Sequence, residues 1–400
     1  MSICTQKLQP NFTAICLLSA LFPFYAFFQM TVLNTLSENF IDSFQLSHIG
    51  LSALSSAYLY GDALALIPAG LILDRFNTKS IILLSFSLLL ISSSLFYFSE
   101  SFYLAISERF AAGIAHAFAL MSCFRIAALH ISNDKQGLVM SAILTIAFLG
   151  ALCAQLPYVW LLKHVGFNNA AFIQIFIGIL IFFILKTSIK LPLTQRFENF
   201  NLLSAIKNPQ NEIAAIFIAL MSAPFMLLGA LYGLEYLSYN KSLNSFDASF
   251  IVSLIFIGTI IGSPFMGWLF DRVKFPKILM MIGVLLTLIS CILLFYMQHY
   301  LGLIFLMIGF FSSVQVLGYP IIAINNPSGI LSTSMGLANF FIMILLGSLQ
   351  LVTGYIANIV SLEMSLFFII GLACVLSGIC IILVVPYAAI NSNNQKVFAG

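Results

Sequence analysis

Asp62 stands about midway along an apolar run, and Ser52, Ser55, Tyr58 and Asp62 follow one another at steps of three, three and four. On a helix those four side chains share one face. A carboxylate at the centre of a bilayer costs roughly 2.5–3.5 kcal/mol on insertion scales, so it needs a partner, water or a task. Facing a water-filled central cavity, it could take up a proton and link that proton to the movement of a solute. Buried, it would instead hydrogen-bond a neighbouring helix. Further along, Arg109, Gly113 and His116 fall at steps of four and three on one face. A guanidinium pointing inward from there suits an anionic group such as a carboxylate, or else it is a structural ion. Glu108 diverges from it by about 100° around the helix and is free to pair elsewhere. His116 reads either as a satisfied core residue or as a proton relay.

Glu235 lies three residues beyond Tyr232, with Tyr236 beside it. It could meet a substrate, close an outer gate, or snorkel to water. With Asp62 and Glu108 it makes up the carboxylates that could carry a proton. Ser312, Gln315 and Tyr319, at steps of three and four, are uncharged hydrogen-bonding groups suited to orienting a small polar ligand. Tyr25, Gln29, Gln155 and Asn339 could do the same or bond between helices. Together with Tyr58, Arg109, His116, Tyr232, Gln315 and Tyr319 they form the candidate substrate-binding set. No His-Glu-x-x-His, Gly-x-Ser-x-Gly or Walker-type loop occurs, so neither an enzyme nor direct ATP coupling is expected. The cysteines are scattered through apolar stretches without a Cys-x-x-Cys pair, and no metal or cofactor is expected.

The elements that must position these residues follow from composition. A chain of 400 residues that is 61% hydrophobic and 7% charged cannot cover itself with a water-soluble surface. A net charge of +3, with no basic run, excludes a nucleic-acid partner. A helix needs roughly 20 apolar residues to cross the hydrocarbon core. Twelve such runs are present, at 12–35, 49–73, 80–98, 102–127, 137–162, 169–189, 211–237, 248–270, 277–297, 301–324, 330–355 and 363–386. Basic residues are retained on the cytoplasmic side. With both termini there, Lys7, Arg75, Lys79, Lys135, Lys186, Lys190, Arg196, Lys207, Arg272, Lys274, Lys277 and Lys396 fall inside, against Lys163 and Lys241 outside. The polar stretch 190–210, with Pro192 and Pro209, reads as a linker between an amino-terminal six-helix bundle (1–189) and a carboxy-terminal one with a short tail (211–400).

The two halves carry an echo. Gly70, Asp74 and Arg75 follow the second run and Gly267, Asp271 and Arg272 follow the eighth, at one constant offset, each with basic residues after them, Lys79 among them. The glycine would let helices approach closely, and the charges would hold a tight turn against the opposite half. At these residues the chain resembles the major facilitator superfamily, whose loop between helices two and three carries a Gly-x-Leu-x-Asp-Arg-x-Gly-Arg-Arg type motif. Arg109-Phe110-Ala111-Ala112-Gly113 is similar to that family's Arg-x-x-x-Gly motif in helix four. Asn77 and Thr78 depart from the loop motif. The stretch Gly150 to Pro157 does not reproduce the helix-five motif of drug-proton antiporters and looks more like bacterial inner-membrane metabolite permeases.

The resemblance implies an all-α polytopic membrane protein with twelve transmembrane helices in two pseudo-symmetric bundles, monomeric, in a bacterial inner membrane. It further implies a secondary active transporter using alternating access and proton symport to move an amino acid, organic acid, nucleoside or similar solute. The gate motif residues, with Arg125 near Asp74 or Asp134, would tie the halves together on the inside. Proton-coupled efflux of drugs or siderophore-like compounds uses the same fold, and a transport-dead sensor is a further alternative. The expected partners are lipid, protons and a small solute.

Overall fold

The computed structural model describes residues 12–131, 133–189, 208–270, 272–273, 276–326 and 331–383, apart from the side chains of 74, 133–137 and 331–333. Among these residues 12 helices are long and apolar enough to cross a membrane. In chain order they are span 1 (Phe12–Phe44), span 2 (His48–Leu73), span 3 (Thr78–Tyr97), span 4 (Phe102–His130), span 5 (Leu138–Val165), span 6 (Phe167–Ser188), span 7 (Pro209–Asn240), span 8 (Ser245–Phe270), span 9 (Pro276–Tyr296), span 10 (Leu301–Ile324), span 11 (Ser334–Ile359) and span 12 (Leu362–Leu383). The linker residues 190–207 and the tail 384–400 lie outside the described residues.

Local chemistry sets the ends. Asn77 accepts from the Lys79 amide at 2.9 Å to start span 3, and Ser101 accepts from the Leu104 amide at 3.3 Å to start span 4. Asn208 caps span 7 at the Gln210 amide, with Pro209 in the first turn, where its missing N–H costs nothing. Gly166, at φ +80°, turns the chain between spans 5 and 6. Span 1 outruns its apolar stretch: the helix continues through Ser37, Glu38 and Asp42 to Phe44 and stops at Gln45 in a left-handed conformation.

Four spans are irregular among the described residues. Span 1 is interrupted at Ala20, just before Pro23. Span 5 breaks at 154–155, just before Pro157, which can neither donate a rung nor fit beneath the preceding turn. Span 7 carries a π segment over Phe225–Tyr232, immediately after Pro224. Span 10 tightens to a 3-10 turn over Ser313–Leu317.

Large apolar side chains such as Leu84, Ile91, Phe172, Phe176 and Leu372 stay exposed on the outside. In water such a surface would aggregate; against lipid it is the expected face. Inside, small residues let helices touch. A Cβ on Gly113 would lie 2.0 Å from the Tyr58 carbonyl oxygen, so spans 2 and 4 cross with backbone against backbone. The first six spans meet the last six mainly where span 2 packs along span 11, span 1 on span 7, and span 5 on span 8.

Candidate functional site

The crossing of spans 2 and 4 brings Asp62 and His116 together. His116 Nδ1 lies 2.9 Å from Asp62 Oδ2, both buried, while Asp62 Oδ1 and His116 Nε2 have no hydrogen-bond partner. The imidazole is packed between Phe27 and Tyr58, with ring centroids 5.3 Å and 5.4 Å away. A carboxylate and an imidazole in contact can hold one proton between them and differ by a full charge when it leaves.

About two turns earlier on span 4, Arg109 is consumed by the protein. Its guanidinium donates to the backbone oxygens of Gln29 at 2.6 Å, Met30 at 3.3 Å and Leu54 at 3.3 Å. It also sits 4.5 Å from the centroid of Tyr58 and 5.4 Å from that of Phe96. The sequence left open both an inward-pointing cation for an anionic substrate and a structural ion; here the guanidinium staples spans 1, 2 and 4 together. Glu108 turns away, as its position requires, and bonds Ser99 Oγ.

The polar face of span 2 also differs from expectation. Ser52, Ser55, Tyr58 and Asp62 are all buried rather than lining open water. Hydroxyls on and beside this face bond neighbouring helices: Ser56 donates to Gly347 O of span 11 at 2.9 Å, and Tyr58 donates to Ala26 O of span 1 at 2.9 Å. Tyr25 bonds Gln174 of span 6, so it faces the interior of its own half.

Polar contacts between the halves gather at the end where span 2 begins. His48 Nδ1 is 3.2 Å from Glu235 Oε1, the His48 amide donates to Asn358 Oδ1 at 3.1 Å, and Tyr232 OH donates to His48 O at 2.9 Å. Glu235 is therefore buried beside His48, with its carboxylate turned into the contact between the halves and away from water. Just below, Asn34 of span 1 bonds Gln155 Oε1 at 3.0 Å and also reaches span 7. Thr35 donates to Ala154 O at 2.6 Å, taking a carbonyl freed by the break in span 5. His48 and Asn34 were not among the sequence candidates. Both are visible as polar residues, but their partners lie far along the chain and no spacing rule connects them.

In the second half, Gln315 bonds Ser222 Oγ and Tyr319 OH donates to Asn339 Oδ1 at 3.1 Å. All four side chains are at least partly withdrawn from solvent, and the 3-10 turn is what brings Gln315 round to span 7. At the opposite end of span 7 from Glu235, Asn211 and Asn326 exchange amide bonds at 3.2 Å and 2.5 Å, Ser334 adds a third bond at 3.0 Å, and Asn208 donates to Asn325 O at 2.8 Å.

The repeated loop motif is only partly described: Asp271 and the side chains of Asp74 and Asp134 lie outside the described residues. Arg75 is exposed, Lys79 and Arg125 are half-buried, and the Arg272 guanidinium lies 4.2 Å over Trp268 of its own span. The motif glycines do not serve the close packing expected of them. A Cβ on Gly70 would make ordinary contact with Met121 at 3.6 Å, and one on Gly267 would meet nothing within 4 Å. That end of the molecule is less tightly drawn together at these positions than the His48 end.

A family model described as Major Facilitator Superfamily matches residues 17–233 and 214–398. A crystal structure of a bacterial homologue of the human lysosomal transporter Spinster, inward-facing and occupied, is similar with TM-score 0.70 and 15% identity, covering 97% of this chain and 97% of that one. A second, inward-facing and unoccupied, gives TM-score 0.70 and 15% identity over 94% and 96%. At that identity the likeness is one of fold. No curated protein matches the chain.

Proposed function

The chain belongs to the major facilitator superfamily, an integral multi-pass membrane protein with a transporter's fold, and from this we propose that it is a proton-coupled secondary transporter of a small polar solute. The observation that carries the proposal is the buried Asp62–His116 pair at 2.9 Å. It is the place among the described residues where a carboxylate and an imidazole share one membrane-depth contact, and each has an unpartnered polar atom to offer to water or solute. Protonating the pair removes a charge from the interior, which lowers the cost of closing the site around it. A bound solute then shifts the balance of states only by its differential affinity for them.

The distribution of basic residues supports placing both termini and the linker in the cytoplasm of a bacterial inner membrane. The end closed by His48 and Glu235 then faces outward, and the state is inward-facing. The halves 1–189 and 211–400 are the units that rock against each other.

The solute is a neutral or zwitterionic metabolite, such as a nucleoside or an amino acid. Arg109 is committed to backbone oxygens, so it offers no cation to an organic acid, while Gln315, Tyr319 and Asn339 offer uncharged donors and acceptors. The test begins with thermal stability of the purified protein against amino acids, nucleosides, sugars, organic acids, siderophores and lipophilic cations. The stabilising solute is then followed into proteoliposomes under an imposed pH gradient. Gradient-driven accumulation that Asp62→Asn abolishes is expected. Accumulation indifferent to the gradient and to Asp62→Asn would overturn proton coupling, and stabilisation by bulky cations alone would turn the reading to efflux.

A further inference from the structure

Two backbone breaks lie at the closed end, and each is patched from the opposite half. After the break in span 5, the Leu156 amide donates to Ser253 Oγ of span 8 at 3.3 Å. In span 7 the π segment ends at Tyr232, and the next pair at π spacing is Gly229 C=O and Leu234 N–H, five residues apart. A single side chain of span 1 takes both: Asn34 Nδ2 donates to Gly229 O at 3.1 Å, and Asn34 Oδ1 accepts from the Leu234 amide at 3.2 Å. Asn34 is fully buried. Only glycine fits at 233, where a Cβ would lie 1.8 Å from Leu228 O.

We infer that Asn34 is the residue that positions the outer part of span 7, and that Gly229 and Leu234 exchange Asn34 for each other when the halves part at this end. The inference rests on the alternating-access reading above. Its physical basis is the rule that buried backbone groups must be paired. Like a peptide unit, a carboxamide offers a C=O acceptor and an N–H donor, with a second N–H that here goes to Gln155, so Asn34 stands in for one rung of the ladder. In the closed state both backbone groups are satisfied by Asn34. On opening they bond each other, extending the π ladder by a rung, and Asn34 turns to water. No polar group is left buried and unpaired in either state, so the two differ little in hydrogen-bond energy and can interconvert. Thr31, Asn34 and Thr35 lie on one face of span 1, and the two threonines hold the carbonyls of Ala151 and Ala154 in the same half. Asn34 alone of the three reaches across.

The experiment uses the full chain in nanodiscs, with hydrogen exchange followed in peptides covering 225–240. In parallel, spin-label distances are measured between Tyr103→Cys and Tyr239→Cys in a background free of native cysteines; both positions are highly exposed and lie at the closed end of opposite halves. Asn34→Ala is expected to speed exchange at Leu234 about tenfold and to enlarge the long-distance population. Thr35→Val, one residue away, removes the bond to Ala154 O and is expected to leave span 7 exchange within about twofold of wild type. Should Asn34→Ala fail to fold, Asn34→Asp carries the test: it keeps the acceptor for Leu234 but loses the donor to Gly229, so Leu234 stays protected while the longer distance gains population. Unchanged distances in the folded variants, or the same loosening in Thr35→Val, would overturn the inference. Neither readout needs a solute or a gradient. Normal uptake with unresponsive span 7 would sink this exchange alone, and absent uptake with responsive span 7 would sink the transport reading alone.

Discussion

His116 Nδ1 meets Asp62 Oδ2 at 2.9 Å across two helices whose backbones touch at Gly113. The pair is fixed by that crossing and by the rings of Phe27 and Tyr58 rather than by other charges. His116→Gln keeps a hydrogen-bonding group beside Asp62 but removes the imidazole. Solute binding measured by thermal shift is expected to survive, while gradient-driven uptake falls at least about tenfold. Equal losses of binding and uptake would mean that His116 touches the solute instead.

Arg109 is expected to report on stability. Arg109→Gln leaves three backbone oxygens short of a charged donor in a buried setting, a loss on the order of 3 kcal/mol. Thermal melting of the purified protein should show it even without ligand. Arg109→Lys should recover only part, since an ammonium lacks the planar fork that reaches spans 1 and 2 together. A variant of wild-type stability with weakened solute binding would restore the substrate role for this residue.

The His48–Glu235 contact makes closure at its end sensitive to pH. With His48 protonated the contact is an ion pair; once the ring loses its proton, Glu235 faces an uncharged partner. The contribution to the closed state is therefore present at acidic pH and lost as pH rises. Spin-label distances across this end should lengthen between about pH 5.5 and about pH 8.5, and Glu235→Gln should remove most of that response.

Gly113→Ala places a methyl where the Tyr58 carbonyl oxygen already stands, at 2.0 Å. Parting the two helices enough to admit it should cost about 1–3 kcal/mol and pull His116 away from Asp62. A lowered melting temperature accompanied by lost proton coupling is the expected pair of readouts, and normal coupling would show that the crossing is not what positions the pair.

Much of this was legible in the sequence because a bilayer is a demanding solvent. Uninterrupted apolar length gave the spans, and the rarity of Asp62, Glu108, Arg109, His116 and Glu235 within them marked the residues worth attention. What the sequence withheld was the partner of each. Whether Arg109 faces a solute or three carbonyls depends on how far spans 1 and 2 lean toward span 4, which is decided by contacts at Gly113 and Tyr58 and not by periodicity. Asn34 reads as one more polar residue in an apolar run until the π segment of span 7 is set beside it.

Span 7 is fastened unequally. Its Asn211 end is riveted within its own half by the reciprocal amides of Asn211 and Asn326, with Ser334 and Asn208 beside them. Its Glu235 end is held by Asn34 and His48, which belong to the other half. Mechanically this is a cantilever, anchored at the root and clipped at the tip, with the π segment as its weakest section. A load applied at the tip therefore bends the beam near Gly229 and leaves the root in place, so a solute bound beside Gln315 and Ser222, closer to the root, can stay seated while the far end swings.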